Sequence, residues 1–107
     1  MQLTFLHGYP DYVGKRQIFA GYGSGPSSYS ATNGDVLSIP KFQTSIDVVF
    51  QAMSVSNTYE VRASPAGTGP RQTWTLRWYT ISTGAEVSNG VDLSAEKVQL
   101  GGFCGSY

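Results

Sequence analysis

Cysteine is nearly missing from this chain, and Cys104, the only one, has no partner with which to close an internal disulfide. Histidine is equally scarce: His7 stands alone, and one His with one Cys cannot fill a structural zinc site. Charge is thin too, at 13% of residues against about 25% in an ordinary soluble domain. Seven basic residues balance seven acidic ones, so the basic excess that marks phosphate-binding proteins is missing and nucleic acid is not an expected partner. No apolar run approaches the ~20 residues of a membrane helix, and no membrane partner is expected. Residues 1–7 lack the basic region and the apolar length of a secretory signal, which makes a reducing cytoplasm the expected place of synthesis. A neutral, weakly charged surface also lacks the repulsion that keeps copies apart, and so favours assembly.

What the chain does have is glycine, serine, threonine and aromatic residues, arranged as short runs between turns. This composition predicts an all-β fold, an antiparallel β-sandwich or small β-barrel (jelly-roll-like) of about seven or eight strands. At 107 residues one domain is expected, able to bury roughly 60–70% of its unfolded surface without a staple.

The organising stretch is 57–81. Trp74, Leu76 and Trp78 alternate with Thr73, Thr75 and Arg77, the period of a strand with one buried face. Each tryptophan can bury on the order of 200 Å². Ahead of it Tyr59, Val61 and Ala63 alternate with Glu60 and Arg62, and a Pro/Gly-rich loop over 64–72 joins the two runs. If the runs pair, Glu60 or Arg62 faces Arg77 or Thr75 across the outer surface. Residues 45–53 read as another strong strand, with Ile46, Val48, Phe50 and Ala52 on one face and Asp47, Val49, Gln51 and Met53 on a second face that is only partly polar. The expected core anchors are Trp74, Leu76, Trp78, Val61, Tyr59, Phe50 and Val48.

Residues 2–7 and 14–22 read as strands, with a turn over 8–11 and an unresolved inward face in the second. Residues 23–30 read as a mobile loop or oligomer arm. Residues 36–39 form a brief strand stopped by Pro40. Asn89-Gly90, between 85–87 and 91–93, is the strongest hairpin signal in the chain. Residues 95–100 are the last expected strand. The glycine-rich 101–107 then reads as a tail, so that 1–13 and 101–107 are candidate extended arms.

No arrangement of residues points to catalysis. His7 and Cys104 lie at opposite ends, with no motif to pair them as a dyad. Asp11, Asp35, Asp47, Asp92, Glu60, Glu86 and Glu96 are scattered singly, unlike a calcium loop or a glycosidase pair. The Gly21-x-Gly23-x-Gly25 spacing leads into more loop rather than a helix N-terminus, which a phosphate cradle requires. The expectation is a non-enzyme with no cofactor and no metal.

The aromatics carry the better functional signal. Seven tyrosines, five phenylalanines and two tryptophans exceed the needs of so small a core, and several fall in or beside loops. Tyr9, Tyr12, Tyr22, Tyr29, Phe103 and Tyr107 are the candidate interface residues, because aromatics bring large contact area at low entropy cost. Sugar stacking is the competing use of the same residues.

Over residues 33–100 the sequence resembles the head decoration, or cement, proteins of tailed bacteriophages and related small virion structural proteins. The resemblance is carried by Asn33-Gly34-Asp35-Val36-Leu37, Tyr59-Glu60-Val61-Arg62, Trp74-Thr75-Leu76-Arg77-Trp78-Tyr79 and the run from Thr83 to Ser94. It is a likeness of pattern without a diagnostic motif, and it brings no catalytic residue. It implies a capsid-exterior location in the virion, the major capsid protein as partner, and a homo-oligomer, a trimer by analogy with three-fold capsid positions. The alternative is a receptor- or carbohydrate-binding β-domain of a virion fibre or tail.

Overall fold

The Trp74–Trp78 alternation becomes the middle of a tightly registered hairpin. In the computed structural model, which describes residues 1–6, 11–13, 16–38, 43–66 and 73–106 (the backbone alone for 11–13, 16–17, 43–48, 50, 66 and 104–106), eight strands run in chain order. They are β1 (Thr4–Phe5), β2 (Asp11–Val13), β3 (Arg16–Ser24), β4 (Asp35–Val36), β5 (Gln43–Ser54), β6 (Tyr59–Ala66), β7 (Thr73–Thr80) and β8 (Lys97–Ser106). A large sheet has the order β1-β3-β8-β5, with β2 also paired to β3, and a small sheet has the order β4-β7-β6. All of these pairings are antiparallel. The fold is therefore an all-β sandwich.

β6 and β7 pair without a slip from Tyr59↔Thr80 to Ala66↔Thr73, which keeps the apolar alternation on one face throughout. Trp74, Leu76 and Trp78 are buried, as is Val61, while Tyr59 and Ala63 pack at the core margin. Tyr59 meets Trp78 edge-on, with centroids 6.1 Å apart. β6 continues through Pro65, two residues past the expected strand end. Proline is tolerated there because β6 is the edge of the small sheet, where a missing N–H takes nothing from a ladder.

The large sheet contributes Phe19, Val98 and Leu100 to the core, joined by Leu3 and Phe5 from the N-terminal segment. Burial of Phe19, with Ala20 and Tyr22 exposed, settles the inward face of β3. Residues 1–6 link the sheets. Thr4 and Phe5 pair with β3, while Gln2 bridges Ser38 in parallel beside β4. Asp35 is buried with its carboxylate accepting from the Trp78 indole (3.3 Å) and from the Met1 α-amino group (2.6 Å).

Four expectations are corrected by this arrangement. First, residues 101–106 are no tail: they continue β8, which lies between β3 and β5 as an interior strand of the large sheet. Glycine weakens a strand but still supplies both ladder groups, so flanking strands can hold Gly101 and Gly102 in place, and both are buried. At the other end, residues 1–6 and 11–13 are built into the sandwich rather than extended as an arm.

Second, Asn89-Gly90 turns the chain without forming a hairpin of 85–87 with 91–93. Residues 85–87 return along β7 instead, through Thr80 N→Ala85 O (2.9 Å), Val87 N→Trp78 O (2.9 Å) and the Tyr79↔Glu86 bridge. The edge of β7 beyond β4 is where these backbone groups find their partners. Third, β5 does not keep one alternation, because its register with β8 slips between Gln43 and Ser45, Ile46 and Val48, and Val49 and Gln51. Val49 and Ala52, three positions apart, therefore both pack against the core. Val48 and Phe50 belong to β5, but their side chains lie outside the described residues, as do residues 39–42 and 67–72 altogether.

Fourth, residues 25–30 are docked rather than mobile. Gly25 N donates to Glu96 O (3.0 Å) and Leu93 N to Pro26 O (2.8 Å). A side chain at Gly25 would meet the Leu93 carbonyl oxygen at 2.5 Å, so only glycine permits the approach.

Candidate functional site

Tyr29 ends the docked loop and is the clearest departure from the expected interface set, being only 1% exposed. Its hydroxyl donates to Glu86 Oε2 (2.7 Å) and accepts from the Trp78 backbone N–H (3.2 Å). Its own backbone exchanges bonds with the Asn89-Gly90 turn, Tyr29 N→Val91 O (2.9 Å) and Gly90 N→Tyr29 O (2.8 Å). Arg77 Nη1 completes the cluster by donating to Glu86 Oε2 (3.0 Å) and to Ala31 O (2.7 Å). Burial first, and the Glu86 hydrogen bond second, push the Tyr29 hydroxyl up to about 12. The same bond, with Arg77 beside it, holds the Glu86 carboxyl below its ordinary range. Tyr29 is thus a core residue that supplies β7 with the acceptor a neighbouring strand would have given.

The outer faces of the two sheets differ in chemistry. On the small sheet the outward positions are Glu60, Arg62 and Ser64 on β6, Thr73, Thr75, Arg77 and Tyr79 on β7, and Val36, exposed opposite Thr75, on β4. Arg62 stands opposite Arg77, and each like charge is tied to its own acid. Arg62 reaches Glu60 at 2.6 Å and stacks 4.2 Å from the Tyr79 ring centroid, while Arg77 reaches Glu86. Pairs as exposed as Arg62–Glu60 contribute little to stability. This is an ordinary solvated face.

The outer face of the large sheet carries exposed apolar side chains among glutamines and a lysine. Leu6, Tyr22, Met53 and Val55 are 59%, 44%, 51% and 62% exposed. The register explains why they gather: Met53 lies opposite Gln99, and Gln99 opposite Tyr22, so side chains from β5, β8 and β3 share one side. A depression of about 400 Å³ crosses all these strands, with Leu6, Ala20, Tyr22 and Val55 as its apolar lining. Gln51, Gln99 and Lys97 supply its polar groups. Scattered exposed apolar residues need no explanation, but four gathered on one sheet face make that face the candidate contact surface.

Of the expected interface residues, Tyr22 lines this depression, and half-buried Phe103 sits farther along β8 on the same side as Lys97 and Gln99. Tyr12 occurs in β2 opposite Gln17, with its side chain outside the described residues, where Tyr9 and Tyr107 also fall. Leu6 and Val55 were not among the expected interface residues. Met53 had left one signal, the partly apolar second face of 45–53.

Among the described residues, no three His, Cys, Asp or Glu side chains gather in a way that could hold a metal ion, and no helix is long and apolar enough to cross a membrane. His7 and the side chain of Cys104 lie outside the described residues. The arrangement suits contact by shape and apolar area. No family model, curated protein or solved structure matches the chain.

Proposed function

We propose that this chain is a non-enzymatic structural protein of a phage virion, binding the outside of the capsid as an oligomer, a trimer by preference, and clamping neighbouring capsid subunits. The observation that carries the reading is the asymmetry of the sandwich. One outer face is mainly charged and polar, with Val36 exposed on it, whereas the other presents Leu6, Tyr22 and Val55 along a shallow depression and Met53 beside it. A zero formal charge fits a protein that meets other protein rather than packaged DNA. Many copies on a lattice gain avidity from contacts that are individually weak, so a small patch is sufficient. The likeness of residues 33–100 to decoration proteins adds to this reading.

The test is cosedimentation of the purified chain with expanded capsids assembled from the major capsid protein of the virion to which it is assigned. Saturable binding, and particles that withstand heat or low salt better when decorated, are the expected results. Binding to host polysaccharide without binding to capsids would replace the reading with a receptor- or carbohydrate-binding domain. Burial of both tryptophans leaves Tyr22 as the aromatic ring of the exposed groove, a meagre platform for sugar.

A further inference from the structure

We propose that the depression on the outer face of the large sheet receives an apolar segment of a partner protein that carries a carboxylate, with the acid meeting Lys97. The inference rests on the reading of the chain as an assembly protein and names the chemistry of the partner surface. Lys97 is exposed at the start of β8 and lines the depression, and among the described residues it makes no ion pair. Among the described residues, no carboxylate lines the depression. Its chain neighbour Glu96 accepts from Ser56 Oγ (3.4 Å) and lines a smaller, adjoining dent whose wall also includes Val55 and Lys97, without pairing with Lys97. Among the described residues the site is therefore largely apolar, with two amides and one unpaired cation, and its complement is largely apolar with one anion.

Shape favours a protein over a small molecule. At about 400 Å³ the depression is near the lower end for ligand sites, and a drug-sized ligand normally buries about 70–90% of its surface. A groove laid open across the sheet cannot enclose one to that extent. Exposed Met53, opposite Gln99, continues the apolar surface past the groove, where a protein segment would reach and a small ligand would not. Ala20 and the Gly21 backbone keep the floor low, and the Gln51 and Gln99 amides can both donate to and accept from the main chain of the incoming segment.

The experiment is an amide-resolved NMR titration of the full chain with the blocked hexapeptide GLVLDG and its GLVLNG counterpart. The acid peptide is expected to move the amides of Tyr22, Gln51, Lys97 and Gln99, and to weaken as salt rises from about 50 to about 500 mM. Affinity is expected to fall about 3- to 10-fold for GLVLNG and for Lys97→Gln, and to be lost in Val55→Asp, which removes an apolar wall and adds a repelling acid. Absence of shifts up to about 5 mM peptide, equal affinity for the two peptides, or shifts centred on another face would overturn the proposal. So would equally tight binding of dodecanoate at the same amides, or concentration-dependent broadening of that face without peptide, since these assign it to a lipid-like molecule or to a second copy. Capsid cosedimentation separates the two readings. Wild-type binding that Lys97→Gln and Val55→Asp leave intact refutes the groove and keeps the assembly function, whereas peptide binding without capsid binding does the reverse.

Discussion

Replacing Tyr29 by Phe removes one oxygen from the interior and leaves the ring in place. The Trp78 backbone N–H, which donates to that oxygen at 3.2 Å, loses its acceptor in a position where the residue is 0% exposed and water cannot substitute. Leaving a buried donor unpaired costs about 1–3 kcal/mol. Glu86 loses one donor as well, but its side chain is 29% exposed and keeps Arg77 at 3.0 Å, so its loss is largely made up by solvent. The sum is about 2 kcal/mol. A chain of 107 residues unfolds with an entropy of about 0.22 kcal/mol/K, so each 1 kcal/mol moves Tm by about 4–5 °C, and the expected drop is about 9 °C. Scanning calorimetry measures it, and urea unfolding is expected to show a lower midpoint with an unchanged slope. Glu86→Gln, which keeps an acceptor for the tyrosine, is expected to cost less than Tyr29→Phe. A drop below about 2 °C, or the opposite order, would mean that the hydroxyl does not complete the edge of β7.

Other perturbations have equally definite outcomes. Because the Tyr29 hydroxyl is held near 12 in the folded chain and near 10 when unfolded, its contribution is complete below about pH 10 and lost as pH rises toward 12. Urea midpoints are therefore expected to fall over that window in the wild type more than in Tyr29→Phe, with one tyrosine ionising late in an absorbance titration. Glu86, held low by Tyr29 and Arg77, contributes above its unfolded value and loses that contribution as pH falls through the folded one, so Glu86→Gln is expected to flatten the acid limb. Trp78→Ala is expected to cost about 3–5 kcal/mol in chemical unfolding, since it empties a fully buried site and strips the Asp35 carboxylate of its indole donor; a loss below about 1 kcal/mol would mean that this face is not the core. Gly34→Ala is expected to cost about 1–3 kcal/mol, because Gly34 has φ +71° and a side chain there would strike Thr75 Cγ2; an unchanged melting curve would refute the turn geometry.

How much of this was legible depended on whether local pattern and tertiary partner agreed. The face of β7 could be read directly because its pairing with β6 never slips, so Trp74, Leu76 and Trp78 keep one parity from end to end. β5 could not be read in the same way. Each slip against β8 inverts the parity, and nothing in 43–54 alone says where a two-against-one pairing will fall. Composition misled at 101–106, where glycines signal fraying when isolated but sit between two strands in the fold. It misled again at Tyr29, a loop tyrosine by its neighbours, whose burial depends on Trp78 and Glu86, distant in the sequence. The candidate site was the least legible feature. Leu6, Tyr22, Met53 and Val55 come from three segments, and only the strand order brings them to one surface.

The most direct test of the whole account places a nitroxide label at Val55→Cys or at Val36→Cys, both in a Cys104→Ser background. Position 55 lies on the outer face of the large sheet and position 36 is exposed on β4 of the small one. Addition of capsids is predicted to immobilise the label at 55 and leave the label at 36 mobile. Immobilisation at 36 alone, or at neither site under conditions where the chain pellets with the particles, would contradict the assignment of the large sheet as the binding face.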